Sequence, residues 1–185
     1  MALLEGSKFP EGITFQYIPI DISNVSELNP LKCEIPIKLD MDKLLESLSN
    51  QPDRYILIVS ISGAYTPTCG SEHVPKFLRS LHQLKAKEVG ALIVISNNDP
   101  FVISSWGKLL LKEHLHDTKD IPQLIFAYDV NLSSKNGLTN DSSGFVRNSR
   151  YATLIDSKTR KIVYLGVETE RKVSVSGYEA VAARL

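Results

Sequence analysis

A chain of 185 residues fits one hydrophobic core, so we expect a single domain over residues 1–185. Its 21 Lys and Arg residues equal its 21 Asp and Glu residues, which excludes the broad basic surface of a nucleic-acid-binding protein. Apolar runs such as residues 55–59 fall far short of the roughly 20 residues that span a bilayer, so we expect no membrane span. Glu5 follows residues 1–4 where a secretory signal would stay apolar, which favours a cytoplasmic protein.

The N-terminal part of the sequence predicts a turn-rich segment with one strand, followed by a helix. Prolines and glycines are frequent in residues 1–36 and surround a strand-like stretch at residues 13–20. Asp40 is suited to cap a helix over residues 41–48, whose apolar side chains repeat at helical spacing.

The rest of the sequence alternates strands with helices and ends in a hairpin and a helix. A continuous apolar run predicts a doubly buried strand at residues 55–61, and one-sided apolar spacing predicts a helix at residues 71–85. The elements expected after these are strands at residues 91–95 and 123–128, a helix at residues 100–111 capped by Asp99, a short helix near Ser133, hairpin strands at residues 151–155 and 161–167, and a helix at residues 176–184. This order predicts an α/β fold whose mixed central sheet carries helices on both faces.

The two cysteines, Cys33 and Cys69, are too few for a disulfide scaffold and lie 36 positions apart. They have neither the spacing of a thioredoxin-like redox pair nor the clustered ligands of a zinc site. The four histidines add no convincing ligand set, so we expect no metal and no organic cofactor. Cys69 lies between a predicted buried strand and a predicted helix, where backbone N–H groups and the helix dipole favour a thiolate. A buried, unreactive cysteine is the alternative.

The segment Tyr65-Thr66-Pro67-Thr68-Cys69 resembles the active-site loop of the peroxiredoxins, close to the type II members that include fungal alkyl hydroperoxide reductases and peroxisomal peroxiredoxins. The similarity continues through residues 73–75, 96–101 and 149–152 into the closing helix, so it covers nearly the whole chain. The resemblance implies a thioredoxin-like peroxiredoxin fold. It also implies a thiol peroxidase that reduces hydrogen peroxide and alkyl hydroperoxides through a cysteine sulfenic acid.

By this resemblance Cys69 is the peroxidatic cysteine, and the Thr66 hydroxyl hydrogen-bonds both the thiolate and the peroxide. Arg150 matches the arginine whose guanidinium holds the thiolate and a peroxide oxygen, although Arg147 lies close by in the sequence. These donors matter because a lowered thiol pKa alone gives only a few-fold gain in rate, since nucleophilicity falls with basicity. The alternatives are a turn or helix-cap role for Thr66 and a surface position for the arginine.

Ser62 departs from the family pattern, which has a proline four residues before the threonine. That proline shields the reactive cysteine from water in the family, so we expect serine to loosen the loop, expose the oxidised cysteine and lower the efficiency of the enzyme. The same departure supports a competing hypothesis, a redox sensor or adaptor with slow turnover. A thiol-disulfide oxidoreductase is the other competing class, and the wide separation of the cysteines disfavours it.

Cys33 resembles the early resolving cysteine of the fungal members, in which the disulfide joins two subunits. The resemblance therefore implies a homodimer and thioredoxin as reductant, with glutathione and glutaredoxin as the lesser option. Alternatively Cys33 has no role and an outside thiol resolves the sulfenic acid. The ending Ala183-Arg184-Leu185 is similar to the peroxisomal Ser-Lys-Leu address, so the peroxisome is a second expected location beside the cytoplasm. Its alternative is the tail of an amphipathic helix.

Overall fold

A seven-stranded sheet forms the centre of the computed structural model, which describes residues 3–141 and 144–185. The strands in chain order are β1 (Thr14–Tyr17), β2 (Ile37–Asp40), β3 (Tyr55–Ser60), β4 (Val89–Ser96), β5 (Gln123–Asp129), β6 (Thr139–Asn140), β7 (Arg147–Asn148), β8 (Tyr151–Asp156) and β9 (Ile162–Val167). The helices are α1 (Met41–Ser49), α2 (Val74–Leu78), α3 (Leu81–Ala86), α4 (Pro100–His114), α5 (Leu132–Lys135) and α6 (Tyr178–Ala182), and a π-helical turn, Cys69–His73, precedes α2.

The sheet has the order β2-β1-β5-β4-β3-β8-β9, and β6 pairs with β7 outside it. Its three central strands, β3, β4 and β5, are parallel, whereas β1 and β8 pair with them in the antiparallel direction. The outer strands β2 and β9 are antiparallel to their neighbours. The predicted mixed α/β sheet is therefore confirmed.

Apolar side chains cover both faces of the sheet, as shown by the alternation within β3. Leu57 and Val59 belong to one buried cluster with residues of α2, α3 and α4, and Ile56 and Ile58 belong to a second with residues of α1. A strand with side chains of period two is buried on both faces only when helices lie on both sides. The prediction of helices on both faces is confirmed.

Two helix caps were also predictable from the sequence. The Asp40 carboxylate accepts hydrogen bonds from the backbone N–H groups of Asp42 and Lys43 at the start of α1. The Asp99 carboxylate accepts hydrogen bonds from Phe101 and Val102 at the start of α4, where Pro100 is the first helical residue. Both carboxylates satisfy N–H groups that a helix leaves without partners.

The prediction of one helix over residues 71–85 is wrong, because the segment is divided into the π-helical turn, α2 and α3. Pro75 has no N–H to donate to the preceding turn, and we attribute the irregular hydrogen bonding there to this loss. A second break occurs at Ser80, whose φ of −115° and ψ of 20° leave the helical region. The closing helix is likewise shorter than predicted. Among the described residues no helix has the length and apolar character needed to traverse a bilayer.

Candidate active site

Cys69 lies in the connection between β3 and α2, at the first position of the π-helical turn, and its side chain is fully buried. The connecting loop is held by Asn98, whose Oδ1 accepts hydrogen bonds from the Ala64 N–H at 2.8 Å and the Ser96 hydroxyl at 3.1 Å. Gly63 packs so tightly that a Cβ there would lie 2.7 Å from Nη1 of Arg147. Packing of the loop onto the end of β4 therefore positions the sulfur.

Two side chains in the described structure make hydrogen-bond contacts with the sulfur of Cys69. The hydroxyl Oγ of Ser62 lies 3.5 Å from Sγ, and Nη2 of Arg150 lies 3.8 Å from it. Thr66 is part of the same group of residues, but its hydroxyl donates a hydrogen bond to the Gly63 carbonyl at 2.8 Å. The structure thus brings together Cys69, Thr66 and Arg150, as the sequence predicted, and adds Ser62.

Arg150 is positioned directly before β8, and its three nitrogen atoms have different surroundings. Nη1 donates to the Arg171 carbonyl at 2.7 Å and Nη2 points to Sγ, whereas the buried Nε has no hydrogen-bond partner among the described residues. Arg147 is placed differently: its Nη1 donates to the Ser62 carbonyl at 3.3 Å, and its guanidinium lies 5.9 Å from the ring centre of Phe145. Geometry therefore favours Arg150 over Arg147 as the arginine that contacts the sulfur.

The environment of Cys69 stabilises its thiolate. Burial raises the pKa of the thiol, but the nearby polar side chains of His73, Ser62 and Thr66 and the charge of Arg150 outweigh burial and lower the pKa from 9.0 to about 6. At pH 7 most of the thiol is therefore ionised.

The imidazole of His73 makes its hydrogen bond away from the sulfur. Its Nε2 lies 2.9 Å from the Ser176 carbonyl, and because a carbonyl only accepts, Nε2 carries the proton of that hydrogen bond. Its buried Nδ1 meets no described protein atom with normal hydrogen-bond geometry. Ser62 and Arg150 therefore contact the sulfur directly, whereas His73 is held by the Ser176 carbonyl.

A cleft of about 480 Å³ is lined by Ser62, Thr66 and Arg150. Ser62 and Arg150 also contact the sulfur of Cys69, although Cys69 itself is not among the residues that line the cleft. The rest of its wall consists of polar and charged residues: Asn140, Arg147, Asn148, Ser149, Glu168, Thr169, Glu170 and Arg171. The described residues contain no group of three or more His, Cys, Asp or Glu side chains placed to hold a metal ion. The arrangement suits a small polar substrate attacked by a thiolate.

Cys33 is not among the residues that line this cleft. It is exposed, whereas Cys69 is buried, and both cysteines are free. The segment before Cys33 is tethered to α4, because Nζ of Lys108 donates to the Lys32 carbonyl and Nζ of Lys112 donates to the Leu28 carbonyl. The predicted partner thiol is thus outside the site within one chain.

Comparison with known proteins shows the family to which the chain belongs. The Redoxin family model matches residues 5–182. A "Putative peroxisomal peroxiredoxin" of Lipomyces kononenkoae is 37% identical over 182 residues, which are 96% of this chain and 98% of that protein. Peroxiredoxin AHP1 of Chaetomium thermophilum is 31% identical over 180 residues, or 97% of this chain and 92% of that protein.

The fold is also similar to that of a solved peroxiredoxin. The crystal structure of reduced Prx3 in complex with hydrogen peroxide from Vibrio vulnificus superimposes with a TM-score of 0.73 at 25% identity, covering 98% of each chain. The thioredoxin-like peroxiredoxin fold predicted from the active-site loop is therefore confirmed. With a family match over nearly its whole length and fungal relatives above 30% identity, the chain belongs to the redoxin family, among the type II peroxiredoxins.

Proposed function

We propose that this chain, a thiol peroxidase by its family, reduces hydrogen peroxide and alkyl hydroperoxides with the thiolate of Cys69 as nucleophile. One observation carries the proposal: Arg150 directs Nη2 at the sulfur, 3.8 Å away, and its buried Nε has no partner among the residues that the structure describes. A buried donor without a partner is unfavourable unless a ligand satisfies it. A peroxide oxygen beside the thiolate meets that need.

The reaction transfers one oxygen atom to sulfur. The thiolate attacks one peroxide oxygen, an S–O bond forms as the O–O bond breaks, and the departing oxygen takes a proton to become water or an alcohol. Sulfur is oxidised by two electrons and the peroxide is reduced by two. Because negative charge moves from sulfur to oxygen, the fixed guanidinium of Arg150 stabilises the transition state. The Vibrio vulnificus relative was crystallised with hydrogen peroxide, which supports this substrate class.

Trapping the oxidised sulfur tests the proposal. In a Cys33→Ser variant, one equivalent of hydrogen peroxide in the presence of dimedone is expected to label the Cys69 peptide, because the sulfenic acid then has no resolving thiol. Mass spectrometry of the digested protein measures the label. A Cys33→Ser, Cys69→Ser double variant is the control and should remain unlabelled. Absence of label on Cys69, with the peroxide left unconsumed, would overturn the assignment of the nucleophile.

We further propose that Cys33 of a second chain resolves the sulfenic acid, forming an intersubunit disulfide and releasing water, and that thioredoxin reduces this disulfide. Exposure of Cys33 beside a buried Cys69 supports a partner outside the chain. The large apolar residues flanking Cys33 are also exposed, Leu31 by 91% and Ile35 by 85%. Exposed apolar side chains around a thiol favour contact with another protein surface, which supports a homodimer.

For location, we propose that residues 183–185 deliver part of the protein from the cytoplasm to the peroxisome. The peroxisomal name of the Lipomyces kononenkoae relative supports this. Arg184 also has a structural environment, since Nη1 lies 3.3 Å from Oε1 of Glu5 and its guanidinium lies 5.2 Å from the ring centre of Tyr164. Exposed ion pairs stabilise little, and Ala183 and Arg184 are exposed, but Leu185 packs partly buried against the core, so a receptor must first release Leu185.

Fluorescent fusions test the location. A fluorescent protein joined to the N-terminus of the full chain is expected to label peroxisomes as well as cytoplasm, because this fusion leaves the terminal tripeptide at the end of the chain. Deleting residues 183–185 should make the signal diffuse. The same distribution for both fusions would contradict the proposed address.

A further inference from the structure

We propose that Ser62 is a catalytic residue whose hydroxyl donates a hydrogen bond to the thiolate of Cys69. The inference rests on the proposed function, since it concerns the same sulfur. It differs from the expectation that serine at this position only weakens the site. It gives Ser62 part of the role that the family resemblance gives to Thr66.

The Ser62 hydroxyl lies within hydrogen-bond distance of the Cys69 sulfur. Oγ of Ser62 lies 3.5 Å from Sγ of Cys69, and among the described side chains only Nη2 of Arg150 makes a second hydrogen-bond contact with that sulfur, at 3.8 Å. The sulfur itself is fully buried, so these donors replace solvent around the thiolate. A buried anion needs such donors to remain ionised.

The Ser62 and Thr66 hydroxyls differ in where each donates its single hydrogen. A hydroxyl has one hydrogen to donate. Thr66 donates its hydrogen to the Gly63 carbonyl at 2.8 Å, so turning it toward sulfur would break that bond. Within the described part of the chain the Ser62 hydroxyl has its contact with sulfur and no other hydrogen bond, and a thiolate can only accept. Ser62 is therefore the hydroxyl whose proton is directed at the sulfur.

The place of Ser62 in the wall of the cleft also supports a role in catalysis. Ser62 lines the cleft together with Arg150, and its hydroxyl also contacts the buried sulfur of Cys69, so it connects the cleft with the sulfur. Its backbone is held from the other side, because the Ser62 carbonyl accepts a hydrogen bond from Nη1 of Arg147 at 3.3 Å. The proline of the family pattern has no hydroxyl and cannot make this contact. Moreover, Sγ is fully buried here with serine in place of proline, so the reduced sulfur is not opened to solvent.

Thiol titration tests the inference without any turnover. In a Cys33→Ser background only Cys69 titrates as a thiol, and the ultraviolet absorbance of the thiolate follows its ionisation. Ser62→Ala and Ser62→Pro are each expected to raise the pKa of Cys69 by about one unit, because a donor to the charged form is lost. Ser62→Thr keeps the hydroxyl and should restore the lower pKa. Ser71→Ala is the matched control, since the Ser71 hydroxyl of the same loop donates to the Pro67 carbonyl at 2.8 Å.

Rates measured against pH give the second readout. At pH 5 the Ser62→Ala variant is expected to reduce hydrogen peroxide roughly three- to tenfold more slowly than the wild type, since a higher pKa leaves less thiolate while each thiolate is more nucleophilic. At pH 8, where both are almost fully ionised, the greater nucleophilicity of the more basic thiolate should make the variant roughly two- to threefold faster, so the order of the two rates should reverse between the two pH values. A Cys69 pKa in Ser62→Ala equal to that of Ser71→Ala would overturn the inference. If the wild type nevertheless turns over peroxide, the proposed function stands while the role of Ser62 falls.

Discussion

Replacing Arg150 by methionine is expected to lower kcat/KM for hydrogen peroxide about 100- to 1,000-fold, the usual effect of removing a donor that stabilises developing charge. Among the described residues, Arg150 is the cationic side chain in hydrogen-bond contact with Sγ of Cys69. Its buried Nε offers a second donor for a peroxide oxygen. Methionine has similar length and no donors, so both interactions disappear together. Stopped-flow measurement of peroxide consumption gives the rate.

The variant Arg150→Lys separates the effect of positive charge from that of the planar guanidinium geometry. The variant Arg79→Met controls for the loss of an arginine outside the site. Lysine keeps a positive charge but not the planar fork, so it should recover only part of the lost rate. Arg79 lies at the end of α2 outside the cleft and is the matched control. A rate for Arg150→Met within about threefold of that for Arg79→Met would refute the role of Arg150, because no transition-state donor would have been lost.

The pH dependence of Arg150→Met should change in the same experiment. Only the thiolate attacks, so the wild-type rate rises as pH increases through about 6, the pKa of Cys69. The charge of Arg150 favours the thiolate, so removing it moves the midpoint of the profile to higher pH. Thermal unfolding of both arginine variants checks that the loss of the hydrogen bond to the Arg171 carbonyl has not unfolded the protein.

Much of the fold was predictable because its strongest signals are local. The apolar run of β3 and the carboxylate caps of α1 and α4 depend on residues that are neighbours in the sequence. The strand β2 was missed, because Ile37–Asp40 is an edge strand, largely exposed, that is defined by its pairing with β1. Pairing between distant residues leaves no such local pattern.

The site was predictable from the resemblance of its loop, but its hydrogen bonds were not. The direction of the Thr66 hydroxyl and the contact of Ser62 with sulfur depend on how the loop folds back on itself, which the identities of its residues do not fix. Asn98 lies in the stretch 96–101 that resembles the family, but the sequence did not predict that it accepts the hydrogen bond from the Ala64 N–H that holds the loop. The signal for it was its polar position directly after the buried strand β4.

Cys33→Ser is expected to abolish the disulfide-linked dimer that one equivalent of peroxide forms in the wild type, and to lower thioredoxin-coupled turnover about 100-fold or more, because the sulfenic acid then lacks its resolving thiol. Non-reducing electrophoresis measures the dimer, and oxidation of reduced thioredoxin measures turnover. The first cycle should survive, since Cys69 still reduces one equivalent of peroxide. If the variant also failed to reduce the first equivalent of peroxide, the substitution would have damaged the site around Cys69 and not only removed the resolving thiol.

Mixing two single variants decides whether the disulfide joins two chains. Cys33→Ser retains Cys69, and Cys69→Ser retains Cys33, so neither chain can close an internal disulfide. We expect a covalent dimer only when both variants are present with peroxide. An oxidised wild type that remains a single chain and has lost two hydrogens would contradict resolution between chains.

Forming this bond requires movement, because the two Cα atoms of a disulfide lie within about 7 Å and Cys69 begins fully buried. The segment able to move is short and irregular: the π-helical turn Cys69–His73 and the five-residue helix α2 have few internal hydrogen bonds to break. Backbone amides of this segment are therefore expected to exchange hydrogen faster in the disulfide form than in the reduced form, whereas those of β3 should not change. Equal exchange in both forms would mean that Cys33 reaches the sulfur without unfolding the turn.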